Sequence, residues 1–348
     1  MATTVIRYVD PNSSGGDGTT NALTGATAAY ASLFAWEAAR QRNLVTADEI
    51  ERVICSSDDA GSTHAADTTA VTIDGWTTDA TRYIQIEAAS SHGGKWNDNI
   101  YRLSYDTSVG TENAIWVVEE YVNLVGLQIS RSASNDVGVS AISYTAVGGG
   151  NNISKCIIKR GSYNNLRRGI NCGGFSGVVN IYNSVVYGIS YSGSACIEIT
   201  GGGTPVTKVY SSTLIGGVNG LKALGTVTAK NIYASGSTAA YTGTISMSTC
   251  ASSDATGSVG LQNIAVNTTN FTNITAGSED FHLPSGSALI NVGTDTSGDA
   301  APLNFTDDID GQTRTGTWDI GADEYVAAGG GAVPIAAIIN HYKQLGVM

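Results

Sequence analysis

The sequence predicts a right-handed parallel β-helix, an all-β solenoid with a helical cap at its N-terminal end and a short C-terminal helix. Three observations carry that prediction. The first is a repeat: Asn123-Leu-Val-Gly-Leu-Gln-Ile129 aligns with Asn152-Ile-Ser-Lys-Cys-Ile-Ile158, with Asn180-Ile-Tyr-Asn-Ser-Val-Val186 and with Lys208-Val-Tyr-Ser-Ser-Thr-Leu214, at steps of 29, 28 and 28 residues. A fixed period of this size marks a solenoid, and about 28 residues accommodate three short strands and three corners. The second is that two columns of the repeat are aliphatic, Leu124, Ile153, Ile181, Val209 and Ile129, Ile158, Val186, Leu214, so both are predicted to point inward. The third is composition: 43 glycines, 5 prolines, 42% hydrophobic and 14% charged residues suit many short turns between stacked strands and exclude a disordered chain.

From the N-terminus, Ser32 to Arg42 has Leu33, Trp36 and Ala39-Arg40 on one side of a short amphipathic helix. Thr46-Ala-Asp-Glu49 has the pattern of a capping box ahead of a strand from Ile50 to Cys55. These elements form a cap and first coil over residues 1–56, covering an end that would otherwise pair with other molecules. Residues 57–326 form the β-helix with its own C-terminal cap, with strands at Tyr83 to Ala88 and Ala114 to Val118 and a loop leaving the rod at Ser90 to Asn99. Asn123, Asn152 and Asn180 form a column expected at a tight corner, because Asn tolerates left-handed backbone and stacked amides bond between layers. A third column, Leu127, Cys156, Ser184, Ser212, shrinks along the rod. A leucine-rich repeat has a similar period, but its signature and helical stretch are absent.

Several phrases resemble those of right-handed parallel β-helix proteins of the pectate-lyase-like superfamily. Tyr8-Val-Asp-Pro-Asn12 with Gly15-Gly-Asp-Gly-Thr19 is similar to the entry motif of such proteins. Asp280-Phe-His-Leu-Pro-Ser-Gly-Ser-Ala-Leu-Ile-Asn-Val-Gly293, Asp308-Ile-Asp-Gly-Gln-Thr-Arg314 and Asp319-Ile-Gly-Ala-Asp-Glu-Tyr325 are similar to their C-terminal cap. The resemblance implies the architecture; the superfamily spans lyases, hydrolases, adhesins and phage tail or capsid proteins, so it implies no single activity. Residues 327–348 depart from it: a glycine-rich linker leads into Pro334 to Met348, where Ile335, Ile338, Ile339, Tyr342 and Leu345 recur at helical spacing and read as a docking face.

The candidate chemistry is sparse. Between Tyr121 and Cys250 the chain holds nine basic and two acidic residues, so this middle is net +7 within a chain of net −12, and the flanks carry −19. Lys155, Lys159, Arg160, Arg167 and Arg168, interleaved with Tyr163, form the best binding candidate, with an acidic glycan or acidic neighbour as ligand. A pI of 4.6 and one modest patch exclude nucleic acid. The two acidic residues, Asp136 and Glu198, have no visible partner for glycoside hydrolysis. Asp58-Asp59 and Asp307-Asp308 are explained by turn chemistry. Asp308-x-Asp310-Gly311 matches half a calcium loop, with Thr317 where the bidentate Glu belongs, and reads instead as a turn tied by Asp to backbone amides and Arg314. His64, His92, His282 and His341 lack metal-ligand spacing. Cys55, Cys156, Cys172, Cys196 and Cys250 are odd in number and far apart, and read as reduced, buried apolar residues.

No catalytic residue, metal site or cofactor is therefore assigned. Met1 to Tyr8 lacks a signal-peptide pattern, and Ala332 to Ile339 is too short to span a membrane. The expected function is a non-enzymatic structural or adhesive role in an assembled particle, a phage virion with the chain as capsid decoration or tail component. Its partners are then further copies of itself, a trimer included, other virion proteins and a host glycan. The alternatives are a polysaccharide-degrading lyase or hydrolase of tailspike type and a cell-surface carbohydrate-binding adhesin.

Overall fold

A computed structural model describes residues 2–327 apart from 58–63, 108–111, 135–137, 146–147, 164, 175–176 and 202–205. Every pairing between its named strands is parallel, each strand joined to its counterpart in the next coil. The result is the right-handed parallel β-helix expected from the repeat, with three sheets around a continuous apolar interior.

Sheet 1 begins with Thr3–Val9 and Glu49–Cys55 and continues through Ile84–Ala88, Val122–Val125, Gly148–Ser154, Gly177–Tyr182 and Val206–Tyr210. Sheet 2 runs from Val71–Ile73 through Ile115–Val117, Ser140–Tyr144 and Arg168–Gly173 to Ala195–Thr200. The strand Asn219–Lys230 joins the two, its first half pairing with sheet 2 and its second half with sheet 1. Sheet 3 holds Leu103–Thr107, Gln128–Ala133, Ile157–Arg160, Val185–Ile189, Thr213–Gly216, Tyr233–Ser235 and Ala251–Ser252.

The repeat register is as read from the sequence. Asn152 pairs with Asn123 and Ile153 with Leu124, and the series continues through Asn180 and Ile181 to Lys208 and Val209. Leu124, Ile153, Ile181, Val209, Ile129, Ile158, Val186 and Leu214 are all fully buried. The asparagine amides also bond between layers, Asn152 donating to Asn123 at 2.6 Å and Asn180 to Asn152 at 2.9 Å. Their predicted corner position is corrected: these residues lie in strands on the outer surface of sheet 1. The left-handed corner is a different column three residues on, formed by Gly126, Lys155, Asn183, Ser211, Asn231 and Thr249, each with φ between 41° and 66°.

That corner column also measures the coils. They shorten from 28 residues (Asn183 to Ser211) to 20 (Ser211 to Asn231) and 18 (Asn231 to Thr249). The shorter coils lose the excursion between sheets 2 and 1, which is why one strand can turn that corner unbroken. The inward column that shrinks to Ser184 and Ser212 recovers bulk at Ile232 and Cys250, both fully buried.

At the N-terminal end, helix α1 (Leu33–Arg40) is capped by the Ser32 side chain and buries Leu33 and Trp36 as expected, but it stops at Arg40 and not Arg42, and the third buried residue is Glu37 while Ala39 is exposed. A short helix, α2 (Leu44–Ala47), follows. Its N-cap is Asn43, whose side chain accepts from the Thr46 amide, so Thr46 lies inside the helix and the predicted capping box does not form. Glu51 is fully buried under this cap and accepts from Trp36 Nε1 at 3.1 Å, Arg40 Nε at 3.1 Å and Arg42 at 2.6 Å. A carboxylate satisfied by the cap suits the first coil only while the cap is in place.

The C-terminal part does more than close the rod. Asp254, Thr256 and Ser258 bond to backbone amides of Ala240, Tyr241 and Cys250 and seal the last coil. The chain then doubles back along the outside of sheet 3. Phe271, Phe281, Leu283, Leu289, Ile309 and Ile320 build a second apolar layer on Ile157, Val185, Tyr187, Tyr233 and Ala251. All five cysteines are free and buried, as expected. No helix among the described residues is long and apolar enough to cross a membrane. Ile335, Ile338, Ile339, Tyr342 and Leu345, with Asp58, Asp59 and Asp136, lie outside the described residues.

The register makes unequal demands on adjacent residues. Ile181→Ala is expected to cost about 2–5 kcal/mol, because a cavity opens in a stacked interior. Asn180→Ala is expected to cost about 1 kcal/mol, one outward hydrogen bond in the ladder. Urea denaturation of both variants checks this, and an Ile181 loss no larger than the Asn180 loss would remove the isoleucine from the core.

Candidate binding cleft

A cleft of about 490 Å³ opens on sheet 3, within the range typical of ligand sites. The outward positions Ser104, Ser130, Lys159 and Tyr187 stack in consecutive coils and form its floor. One wall is the loop after Ile84–Ala88, which carries Trp96 and Asp98; the opposite wall is the returning C-terminal segment at Ala276, Gly277 and Glu279. The loop was expected to leave the rod. It instead lies across sheet 3, held by Asn97 N donating to Gln128 at 2.6 Å and by His92 Nε2 bonding the Lys155 carbonyl at 2.7 Å. His92 Nδ1 accepts from Gly94 N at 3.0 Å, so its proton sits on Nε2 and the ring is neutral.

The cleft carries both signs of charge. Arg102, Lys159 and Arg160 line it with Asp98, Asp106 and Glu279. Lys159 Nζ stands 4.1 Å from the centre of the Trp96 ring, and burial lowers its pKa. The three carboxylates are tied to neighbours. Asp98 accepts from Trp96 Nε1 at 2.9 Å and pairs with Arg102 at 3.3 Å. Asp106 accepts from Ser132 at 2.7 Å and from the Ser162 amide at 3.1 Å, and Glu279 accepts from the Gly277 amide at 3.0 Å. Tyr187 is buried beneath them, edge-on to Phe281.

The basic run read from the sequence is divided among different faces. Lys159 and Arg160 reach the cleft. Lys155 sits at the corner of sheets 1 and 3 and pairs with Asp307 at 2.5 Å. Tyr163 is exposed in the connection that follows, its amide bonded to Ser132. Arg167 and Arg168 lie by Gly138 at the edge of sheet 2. Arg168 pairs with Glu198, and Lys222 joins them at 2.7 Å. Burial alone would raise the Glu198 carboxyl, but the hydrogen bonds of Lys222 and Arg168 outweigh it and hold the pKa below the ordinary value.

The sequence named Arg314, Asp308, Asp310 and His282 one by one but did not bring them together around the returning segment. Arg314, fully buried, donates to the carbonyls of Asp307, Gly321 and Ala322 and to Glu324 and Asn183. Asp308 accepts from the amides of Asp310, Gln312 and Glu324, the turn expected from the sequence, although Arg314 makes its carboxylate contact with Glu324. Burial and the adjacent Asp310 carboxyl push Asp308 upward. His282 stands beside this turn with Nδ1 bonded to Asp280 at 2.5 Å. That bond and the nearby Asp310 raise His282 to about 10, whereas burial raises Asp323 to about 6. Trp96, Asp98, Arg102 and Asp106 lie outside the repeats aligned in sequence, so only the three-dimensional path of the loop reveals the cleft.

No protein-family model matches the chain, and no curated protein matches it by sequence. Among solved structures, the crystal structure of the pectate lyase Pel9A is similar at 15% identity, over 94% of this chain and 97% of that one, with a TM-score of 0.36. A likeness of that size carries no argument about this chain.

The Glu198 triad has a pH signature. A carboxyl whose pKa is depressed by folding contributes stability that is complete above its unfolded value of about 4.3 and is lost as pH falls through the folded value. Wild-type stability is therefore expected to drop more steeply below about pH 4.3 than that of Glu198→Gln, which has no proton to take up there. Parallel acid titrations of unfolding free energy check it, and identical acid limbs would count against the triad.

Proposed function

We propose that this protein is a carbohydrate-binding rod, an adhesive module that holds a glycan in the sheet 3 cleft without cleaving it. The observation that carries the reading is the meeting of Trp96 with three cationic and three anionic side chains around the stacked positions of Ser104, Ser130 and Tyr187. An indole offers an apolar face or edge to a sugar ring, while flanking carboxylates accept and guanidinium or ammonium groups donate to its hydroxyls. The charges balance within the cleft, which favours a neutral saccharide over the acidic glycan suggested by the basic run.

Binding is favoured over hydrolysis by the state of the carboxylates. Asp98, Asp106 and Glu279 each already accept hydrogen bonds from the protein, an arrangement that fixes direction for recognition. General acid–base cleavage asks for a carboxyl tuned and free to exchange a proton. A parallel rod supplies the rigidity an adhesive needs, since its recognition side chains project from stacked strands.

Neutral oligosaccharides displayed on an array, followed by calorimetry on those retained, test the proposal. Trp96→Ala and Lys159→Met are expected to weaken binding at least tenfold while the thermal melt stays within a few degrees of wild type. Absence of saccharide binding at millimolar concentration, or binding indifferent to both substitutions, would remove the cleft as a glycan site. Turnover of the bound glycan would overturn the non-catalytic part.

A further inference from the structure

We infer that His282, Asp310 and Asp323 form a binding site for a divalent transition-metal ion of the Zn²⁺ type. One donor atom from each of these residues lies within 4.8 Å of the others. His282 Nε2 stands 3.6 Å from Asp310 Oδ2 and 4.0 Å from Asp323 Oδ1, too far for direct hydrogen bonds. Ligand atoms about 2 Å from a tetrahedral ion lie about 3.4 Å apart, so these groups need to draw together by only a few tenths of an ångström to share one.

The polar groups around the three point the same way. Asp323 has a side chain only 6% exposed, and its Oδ1 is buried with no hydrogen-bond partner. Its other oxygen accepts from the Leu283 amide at 2.7 Å, which fixes the carboxylate and leaves Oδ1 free to coordinate. In Asp310 the oxygen nearer His282 Nε2 is Oδ2, which accepts from Gln312 at 2.8 Å, so this carboxylate too is held in place. The unpartnered Oδ1 of Asp323 faces His282 Nε2 across 4.0 Å, a gap that an ion can bridge once that nitrogen gives up its proton.

The imidazole is oriented as metal-bound histidines are. Nδ1 bonds Asp280 at 2.5 Å, which turns Nε2 toward the two carboxylates. Gly94 stands over that nitrogen with φ +72°, and a Cβ there would lie 2.3 Å from Nε2. Glycine thus lets the loop pack directly against the edge of the imidazole. An imidazole and two carboxylates suit Zn²⁺ and its neighbours; Ca²⁺ asks for six to eight oxygens.

All three ligands belong to the returning C-terminal segment, and the loop that carries Trp96 into the cleft meets the site through Gly94. Lys95 adds a link between the same two parts, 3.6 Å from Asp280. Metal binding would therefore hold together the part of the returning segment that lies beside the cleft, and the site does not require a glycan.

The full chain, stripped with EDTA and dialysed, is titrated with Zn²⁺ by calorimetry and followed by thermal melting. One ion per chain is expected, with a dissociation constant below about 10 µM, release of the His282 Nε2 proton seen as a buffer-dependent enthalpy, and a raised melting temperature. Asp323→Asn keeps an acceptor for the Leu283 amide, and His282→Gln keeps a polar side chain. Each is expected to weaken Zn²⁺ binding at least a hundredfold, and Asp280→Asn, which only orients the ring, by 10–100-fold. No uptake by the wild-type chain, or uptake undiminished in both ligand variants, would overturn the inference.

Discussion

The layer spacing of a parallel coil is the constraint on which the rest of this molecule depends. Neighbouring strands lie about 4.8 Å apart, so whatever stands at one position in a coil meets the equivalent residue of the next. An inward column must be apolar throughout, and an outward column must tolerate its own kind as a neighbour. Leu124, Ile153, Ile181 and Val209 satisfy the first demand, and the Asn123–Asn152–Asn180 ladder turns the second into hydrogen bonds. Charges rarely stack well with their own sign, which accounts for the low charge content and for the pairing of Glu198 with cations from the coils on either side.

The same constraint decides what sequence could disclose. A repeat is visible because each coil solves one packing problem, and the strand registers and buried columns follow from it. The corner was misplaced because two polar columns lie three residues apart and asparagine suits both a left-handed corner and a stacked ladder. Lys155, Ser211 and Thr249 occupy the true corner with positive φ, and none of those residue types advertises that conformation. The helix at Leu33–Arg40 was legible from its apolar spacing, whereas Asn43 displaced the expected cap because its side chain reaches the Thr46 amide.

The sites were far less legible, for a physical reason. Lys159 and Arg160 stood out by their sign in a low-charge region, but their carboxylate neighbours come from Asp98, Asp106 and Glu279, which belong to a loop, an early coil and the returning segment. His282 looked isolated because its partners lie 28 and 41 residues further on and are brought back by the Arg314 network. Spacing rules detect ligands carried by one helix or hairpin; they are blind to ligands collected by a long segment folded onto a preformed surface.

A bare parallel coil has flat outer faces, because its outward side chains stand in register and at similar height. Recognition chemistry on such a rod needs a second layer to create depth. Here the layer has two parts, the loop carrying Gly94 and Trp96 and the segment from Phe271 to Tyr325, and they meet over sheet 3. The apolar layer of Phe271, Phe281 and Leu289 anchors the segment by burial, and Arg314 then satisfies the carbonyls that its irregular backbone would otherwise strand away from water. The cleft and the His282 cluster lie along the seam between these two added parts. The coil supplies rigidity and a floor, and functional geometry arises where chain that does not repeat is laid across chain that does.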